Sequence, residues 1–101
     1  MSEQRQFSQS VTDFLKAFGN EKRQEIFLSI FADGKEHYIT EVSERAGIAQ
    51  STASEHLAIL KRAGILVSRK VEKEVFYRID RRGIVAKIEE IKSFLTCCLD
   101  E

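Results

Sequence analysis

The sequence predicts a mainly α-helical domain with a small β-hairpin. Apolar residues recur at helical spacing through most of the chain, the chain contains no proline, and two short runs of alternating apolar residues follow residue 64. The length of 101 residues suits one domain with a modest core. We therefore expect a single domain over residues 1–101, with its core in residues 11–80.

Two helices are predicted in the amino-terminal third. Gly19 ends the first helix, and Asn20 is a good N-cap for the second. Apolar residues cover nearly the whole circumference of the second helix, so we expect this helix to be buried on most sides. The apolar stripe of the first helix is Val11, Phe14, Leu15 and Phe18, and the apolar set of the second is Ile26, Phe27, Leu28, Ile30 and Phe31.

A pair of short helices is predicted next. A turn at 33–35 and a short extended segment at 37–39 lead to Thr40, the predicted N-cap of the first helix of the pair. Gly47 ends that helix, and after a three-residue link the second helix covers about residues 50–62.

Two strands and a last helix complete the chain. The strands are predicted over 65–71 and 75–79, although the turn between them lacks the usual Asn-Gly or Asp-Gly pair. The last helix begins near Asp80 and runs toward the carboxyl terminus. Two short helices joined by a tight glycine-containing turn, followed at once by a hairpin, are typical of a winged helix-turn-helix.

The charge distribution is uneven although the formal net charge is zero. Residues 61–82 hold eight Lys or Arg against three acidic residues, whereas residues 36–60 hold four Glu against one Arg. A protein needs one basic face, and not a basic whole, to neutralise the phosphates of a nucleic acid. The alternative, a solvated cluster of charges, stays open on the counts alone.

The second helix of the pair has the composition of a helix that enters the DNA major groove. At 100° per residue, Ala53, Leu57 and Leu60 share an inward face, and small hydroxyl and amide side chains occupy the opposite face. Basic residues follow at the end of this helix and near the hairpin tip. Taken singly, these features could be helix capping and solubility, but together they favour DNA. The predicted DNA-contacting residues are Thr40, Gln50, Ser51, Thr52, Ser54, Glu55, His56, Lys61, Arg62, Arg69, Lys70 and Lys73.

Two motifs connect about residues 14–80 with a known family. The second helix of the pair, which we call the recognition helix, begins with the motif Q-S-x-x-S-x-H-L at Gln50. The hairpin ends with Val75-Phe76-Tyr77-Arg78. With these motifs the chain resembles the arsenic-repressor (ArsR/SmtB) family of bacterial winged-helix repressors. The resemblance implies a homodimer that represses its own operon and is released by an inducer.

Two residues depart from the pattern of that family. Glu55 stands where members often carry Arg or another non-acidic polar residue, and a carboxylate there repels phosphates and can accept a hydrogen bond from a cytosine amine. Ala49 stands at the N-cap of the recognition helix, where Ser is usual, which costs about 1 kcal/mol of helix stability.

The last helix, about residues 81–98, carries an apolar stripe with the heptad-like spacing of a dimer seam. The first helix offers a second stripe, and together they exceed what one short domain needs to cover itself. The resemblance implies a dimer built from these same terminal helices. The expected interface residues are Val11, Phe14, Leu15, Phe18, Ile84, Ile88, Ile91 and Leu95, with Cys98 continuing the seam.

The resemblance implies two kinds of metal site, and neither is intact in this chain. One would need a Cys-x-Cys pair where the sequence reads Ile39-Thr40-Glu41-Val42. The other would need ligands along the last helix, where Asp80 is kept but the remaining positions hold Arg82, Ser93 and Thr96. Zinc or nickel sensing through these positions is therefore not expected.

The adjacent Cys97 and Cys98 leave two hypotheses open. They could bind a thiophilic metalloid such as arsenite or antimonite, or undergo a redox modification. Trivalent arsenic prefers three thiolates, and neighbouring side chains on a helix point about 100° apart, so a third thiol and a frayed helix end would be needed. The alternative is two small residues near the chain end, one of which packs at the dimer seam.

Other function classes receive little support. No nucleophile–base pair, glycine-rich phosphate loop or metal-ligand cluster indicates an enzyme, and no apolar run approaches the roughly 18 residues that span a bilayer. The polar amino terminus lacks an apolar signal core, so a cytoplasmic location is expected. His37 is expected to be an exposed strand residue, and His56 to touch phosphate or to pack at the helix edge.

Two alternatives to an inducible repressor remain. One is a winged-helix module that contacts only proteins, which Glu55 favours. The other is a DNA-binding protein without a cysteine sensor.

Overall fold

The structure, a computed structural model, describes residues 6–99, and for residues 98 and 99 it describes the backbone alone. The observed order of elements confirms the predicted winged helix-turn-helix. None of the helices in this part of the chain is long and apolar enough to cross a membrane. The elements are α1 (Gln9–Phe18), α2 (Glu21–Ser29), a 3-10 turn (Phe31–Asp33), β1 (His37–Tyr38), α3 (Ile39–Ala46), α4 (Gln50–Arg62), β2 (Leu66–Val71), β3 (Glu74–Ile79) and α5 (Arg81–Leu99).

The three strands form one antiparallel sheet in the order β1-β3-β2. β2 pairs with β3 along its whole length, which confirms the predicted hairpin, and β1 adds two residues with His37 opposite Tyr77. The hairpin turns at Glu72 and Lys73, and Glu72 has a φ of 56°, a left-handed conformation that favours glycine. Because β1 leads directly into α3, the sheet ties the hairpin to the start of the helix pair.

The core forms where α4 packs against α3, β2 and α1. Ala53, Leu57 and Leu60 of α4 are fully buried, as the helical periodicity predicted. Burial of a leucine side chain contributes about 1.5–3 kcal/mol, so the rotation of α4 about its axis is strongly fixed. The largest fully buried side chains are Phe31, Ile26, Ile30, Leu57, Leu60, Ile65, Leu66, Val11 and Val42.

Glycines in the left-handed conformation end both helices of the pair. Gly64 has a φ of 78°, and the N–H of the following Ile65 donates to the carbonyl of Leu60 at 3.0 Å. The same arrangement follows α3, where Gly47 has a φ of 68°. After α4, the hydrogen bond from Ile65 satisfies the Leu60 carbonyl, which the helix leaves unpaired. It also directs the buried Ile65 side chain into the core at the start of the wing.

Two expectations about the helices are wrong. α3 begins at Ile39 with Tyr38 as its N-cap, so Thr40 lies inside the helix and does not cap it. α2 is not buried on most sides, since Leu28 is 67% exposed. The reason is that α2 ends at Ser29, so the apolar residues that follow continue in a 3-10 turn and do not extend the helical face.

The expectation that His37 is exposed is also wrong, since it is only 5% exposed. Its Nδ1 lies 2.7 Å from Glu41 Oε2, and its Nε2 lies 3.0 Å from each carboxylate oxygen of Asp33. The ring also packs edge-to-face on Phe31 at 5.2 Å between centroids. Carboxylates only accept hydrogen bonds, so His37 satisfies both partners when each ring nitrogen carries a proton.

The two carboxyl groups respond to this contact. The hydrogen bond from His37 is the main cause that lowers the pKa of Asp33. Burial raises the pKa of Glu41, but hydrogen bonds from His37 and Arg45 outweigh this effect, and the pKa of Glu41 is lowered. The cluster therefore joins the 3-10 turn, β1 and α3 through charge-assisted hydrogen bonds.

The terminal helices α1 and α5 pack against each other, and the apolar arc of α5 has two surroundings. Ile84 and Ile91 pack against the core of the protomer, whereas Val85, Ile88 and Leu95 are each at least 50% exposed. The apolar arc of α5 is wider than a single heptad stripe. Of the expected seam residues, Ile84 and Ile91 therefore lie on the edge that faces the core, and Ile88 and Leu95 lie on the exposed edge. We call Val85, Ile88 and Leu95 the outer strip of α5.

The stripe of α1 divides in the same way. Val11 and Phe14 are buried within the protomer and Phe18 packs against its core, so these three side chains serve the chain's own core. Leu15 is 42% exposed. Of the expected interface residues, Leu15, Ile88 and Leu95 are thus exposed on the surface of the protomer.

Replacement of His37 tests the role of the Asp33–His37–Glu41 cluster. Carboxyl groups with lowered pKa values contribute stability above their unfolded pKa of about 4, and this contribution is lost as the pH falls through the lowered folded values. His37→Ala is expected to lower the free energy of unfolding at pH 7 by about 1–3 kcal/mol and to weaken the acid dependence. Urea denaturation at pH 7 and pH 3 measures both effects, and an unchanged acid dependence would contradict the prediction.

Candidate nucleic-acid interface

The outward face of α4 carries the residues predicted to contact DNA bases. Gln50, Ser51, Ser54 and Glu55 are exposed, and Thr52 is half-buried. All five lie in the first two turns of the helix, so the amino-terminal half of α4 presents the small polar surface. Because the extended residue before α4 forms no side-chain cap, the first backbone N–H groups of the helix are also open to an anionic ligand.

Thr40 and Gln50 connect the amino-terminal ends of α3 and α4. Gln50 Nε2 donates to Thr40 Oγ1 at 2.6 Å. Both residues line a notch of about 160 Å³ together with Lys73 of the hairpin turn. Three elements that were predicted separately to contact DNA therefore meet at one surface.

Arg23 supports α4 from behind, although this residue was not predicted from the sequence. Its Nε donates to the carbonyl of Ala17 at 2.8 Å, and its Nη1 lies 3.2 Å from Nδ1 of His56. Arg23 therefore joins α1, α2 and α4. The helix dipole disfavours a cation in the first turn of a helix, where Arg23 lies in α2. This unfavourable position is the sequence signal that could have identified Arg23 as a residue with a specific role.

The contact with Arg23 sets the hydrogen-bonding role of His56. A guanidinium only donates, so Nδ1 of His56 must accept, and the proton of the neutral ring lies on Nε2. Burial is the main cause that lowers the pKa of His56, and the charges of Arg23 and Lys22 lower it further against the opposing effect of Glu55. His56 therefore presents a neutral N–H donor.

The basic residues of the predicted interface differ in their surroundings. Arg69 is held by Glu36 through two hydrogen bonds, with Nε–Oε2 at 2.5 Å and Nη2–Oε1 at 2.9 Å, and this contact lowers the pKa of Glu36. Its guanidinium also lies 6.0 Å from the ring centroid of Phe76. The charge of Arg69 is thus compensated within the protein. Four other basic residues are exposed and form no ion pair or side-chain hydrogen bond within residues 6–99: Lys61, Arg62, Lys70 and Lys73.

The cysteine pair is only partly placed. Cys97 is a free, exposed thiol on α5, and the side chain of Cys98 lies outside the described residues. Asp80 accepts a hydrogen bond from the N–H of Gly83 at 2.9 Å, so this carboxylate caps α5. Within residues 6–97, whose side chains the structure describes, no three His, Cys, Asp or Glu residues are grouped so that they could hold a metal ion.

Comparisons with known sequences agree with this geometry. Residues 18–69 match a family model described as a helix-turn-helix domain. The transcriptional activator HlyU of Vibrio cholerae is 37% identical over 75 residues, which cover 74% of this chain and 68% of HlyU. YceK of Bacillus subtilis, an uncharacterized HTH-type transcriptional regulator, is 38% identical over 55 residues, or 54% of this chain and 55% of YceK.

Comparisons with solved structures give the same fold. Reduced HlyU from Vibrio cholerae matches with a TM-score of 0.63 at 36% identity, over 86% of this chain and 90% of HlyU. A homodimeric winged helix-turn-helix DNA-binding domain from Mycobacterium bovis, a possible ArsR-family regulator, matches with a TM-score of 0.68 at 24% identity, over 100% of this chain and 92% of that one. An ArsR-like regulator from Rhodococcus sp. RHA1 matches with a TM-score of 0.71 at 20% identity, over 90% and 87% of the two chains.

The match over residues 18–69 and the identity with HlyU agree with the motifs of the recognition helix and the wing. They confirm the resemblance to the ArsR/SmtB family that the sequence predicted. The chain belongs to the helix-turn-helix family of transcriptional regulators and has the winged-helix fold of the ArsR type.

Proposed function

We propose that the chain is a transcriptional regulator that binds duplex DNA as a homodimer, with α4 in the major groove and the hairpin on flanking DNA. The observation that carries this proposal is the two-sided character of α4. Its apolar face is fully buried, and its small polar face is exposed beside the hairpin turn. Small side chains allow the helix backbone to approach base edges closely.

The contacts to bases fall to the amino-terminal half of α4. The hydroxyl groups of Ser51 and Ser54 can donate or accept, and the Nε2–H of His56 can donate to a base edge or a phosphate. Gln50 can remain bonded to Thr40 or release it to form a bidentate contact with adenine. Glu55 can only accept hydrogen bonds, so its base partners are the exocyclic amines of cytosine and adenine.

The contacts to phosphates fall to the exposed basic residues. Lys61 and Arg62 lie at the carboxyl end of α4, and Lys70 and Lys73 lie near the tip of the hairpin. Because each is exposed, each can neutralise a phosphate without first breaking an ion pair within the described residues. Arg69 instead holds the hairpin against Glu36, and we propose that it positions the wing.

The outer strip of α5 and Leu15 of α1 supply the proposed dimer surface. These are large apolar side chains that are exposed on α1 and α5, the two helices that pack against each other. A second copy would cover them by a two-fold interface, in which the same surface is used on both protomers. The two recognition helices would then read half-sites about one turn of DNA apart.

The direction and trigger of regulation are proposals from the resemblance. It implies a repressor released by an inducer, whereas the relative HlyU is named an activator. We propose Cys97 and Cys98 as the sensing residues for arsenite, antimonite or a redox modification. Release of DNA by arsenite or a mild oxidant from the wild type, but not from Cys97→Ser with Cys98→Ser, would support this. The same role implies a cytoplasmic location.

A titration with the duplex upstream of the protein's own gene tests the DNA-binding proposal. Fluorescence anisotropy is expected to show binding whose affinity falls by about tenfold or more between roughly 50 and 200 mM salt, because several basic side chains displace counterions. Glu55→Gln is expected to bind about threefold to tenfold more tightly at low salt, because a carboxylate near phosphates is removed.

The matched control is Glu90→Gln, which removes one exposed carboxylate from α5 and should leave the affinity unchanged. If the wild type binds no duplex, or binds it without dependence on salt, the interaction-module alternative is favoured.

A charge on the outer strip tests the dimer. Ile88→Glu is expected to weaken self-association by about tenfold or more, because each protomer would bury an unpaired carboxylate in the interface. Leu28→Glu is the matched control, since Leu28 is an exposed apolar residue on α2, away from this surface. Sedimentation velocity measures both variants, and equal association of the two would exclude the outer strip as the interface.

A further inference from the structure

A cavity of about 370 Å³ opens between α1 and the carboxyl end of α4, at the opposite end of α4 from the notch beside Thr40. Three cationic side chains line it, Lys16, Arg23 and Arg62, against one carboxylate, that of Asp13. Asp13 already accepts a hydrogen bond at 2.9 Å from a glutamine one turn earlier in α1. The cavity therefore carries an excess of positive charge.

The floor of the cavity is apolar. Ala17 and Ala63 are buried small residues, and the partly buried Ile59 also lines the cavity. Small side chains leave depth above the core, and their methyl groups offer no hydrogen bond to water. The cavity thus combines a charged rim with an apolar base, the arrangement typical of sites for small organic ligands.

The charged groups differ in their contacts within the protein. Arg23 is fixed in place, since its guanidinium donates to the carbonyls of Ala17 and Lys16 and contacts His56. The Lys16 ammonium and the Arg62 guanidinium are exposed and form no ion pair within residues 6–99. Cations that face one concave surface repel one another, and an anion between them offsets this repulsion.

We propose that this cavity binds a small organic anion, with its carboxylate, sulfonate or phosphate group between Lys16, Arg23 and Arg62 and its apolar part on the alanine floor. The guanidinium of Arg23, held by its hydrogen bonds, provides a preorganised donor, and the exposed side chains of Lys16 and Arg62 supply two further cations for the charged group. The bound anion would contact both α1 and the recognition helix. A bound anion would fix the position of α1 relative to α4. That this affects DNA binding rests on the proposed function, whereas the binding of the anion does not.

The test uses 1-anilinonaphthalene-8-sulfonate, a probe with one sulfonate on an apolar ring system. Titration of the ¹⁵N-labelled full chain, followed by amide chemical shifts, is expected to perturb Ala17, Ile59 and Ala63. Lys16→Gln is expected to raise the dissociation constant of the probe about fivefold or more, because one charge-assisted hydrogen bond is lost. Lys35→Gln removes one exposed charge elsewhere and should leave the dissociation constant within about twofold.

Three results would overturn the proposal. These are equal binding of the probe by wild type and Lys16→Gln, amide shifts confined to the outer strip of α5, and no binding at millimolar probe. A DNA titration of Lys16→Gln completes the test, because Lys16 has no assigned role at the DNA surface. If this variant loses duplex affinity as strongly as probe affinity, the cavity holds a backbone phosphate and not a free anion. Since the probe is titrated without DNA, its outcome is independent of whether the chain binds DNA.

Discussion

The burial of one face of α4 is the constraint on which the rest of the structure depends. Ala53, Leu57 and Leu60 are fully buried, and the helical period then determines which residues point outward. Rotating α4 enough to hide Ser51 or Ser54 would expose two leucines, at a cost of about 1.5–3 kcal/mol each. The polar face is therefore presented in one orientation before any ligand is bound, and little ordering of this helix has to accompany binding.

Polar contacts hold the other elements around this helix. Arg23 joins α1 and α2 to α4 through His56, and His37 joins the 3-10 turn to α3. On the hairpin, the contact between Arg69 and Glu36 fixes the wing relative to the strand that precedes α3. Each contact joins separate elements through polar side chains, in addition to the apolar packing of the core. The recognition surface therefore depends on groups that do not themselves face the notch.

The elements with clear periodicity could be predicted from the sequence, and the contacts between distant residues could not. The expected bounds of α4 agree with the observed Gln50–Arg62, because an apolar stripe and a glycine stop define that helix locally. Arg23 with His56 and Arg69 with Glu36 are each separated by 33 residues, and periodicity contains no information about such partners. For a related reason, spacing on α5 identifies an apolar arc but does not distinguish the residues that the protomer itself covers, Ile84 and Ile91, from the exposed Ile88 and Leu95.

Amide chemical shifts of the ¹⁵N-labelled protein, measured as it binds the duplex upstream of its own gene, would show which surface of the protein contacts DNA. If α4 and the wing bind the DNA, perturbed amides are expected at Thr40, in residues 50–56 of α4 and in residues 70–73 of the hairpin. Amides of residues 85–95 in α5 should be unaffected beyond the uniform loss of intensity that a larger complex produces. Perturbations confined to α5, or none at saturating duplex, would contradict the assignment of α4 and the wing as the DNA-binding surface.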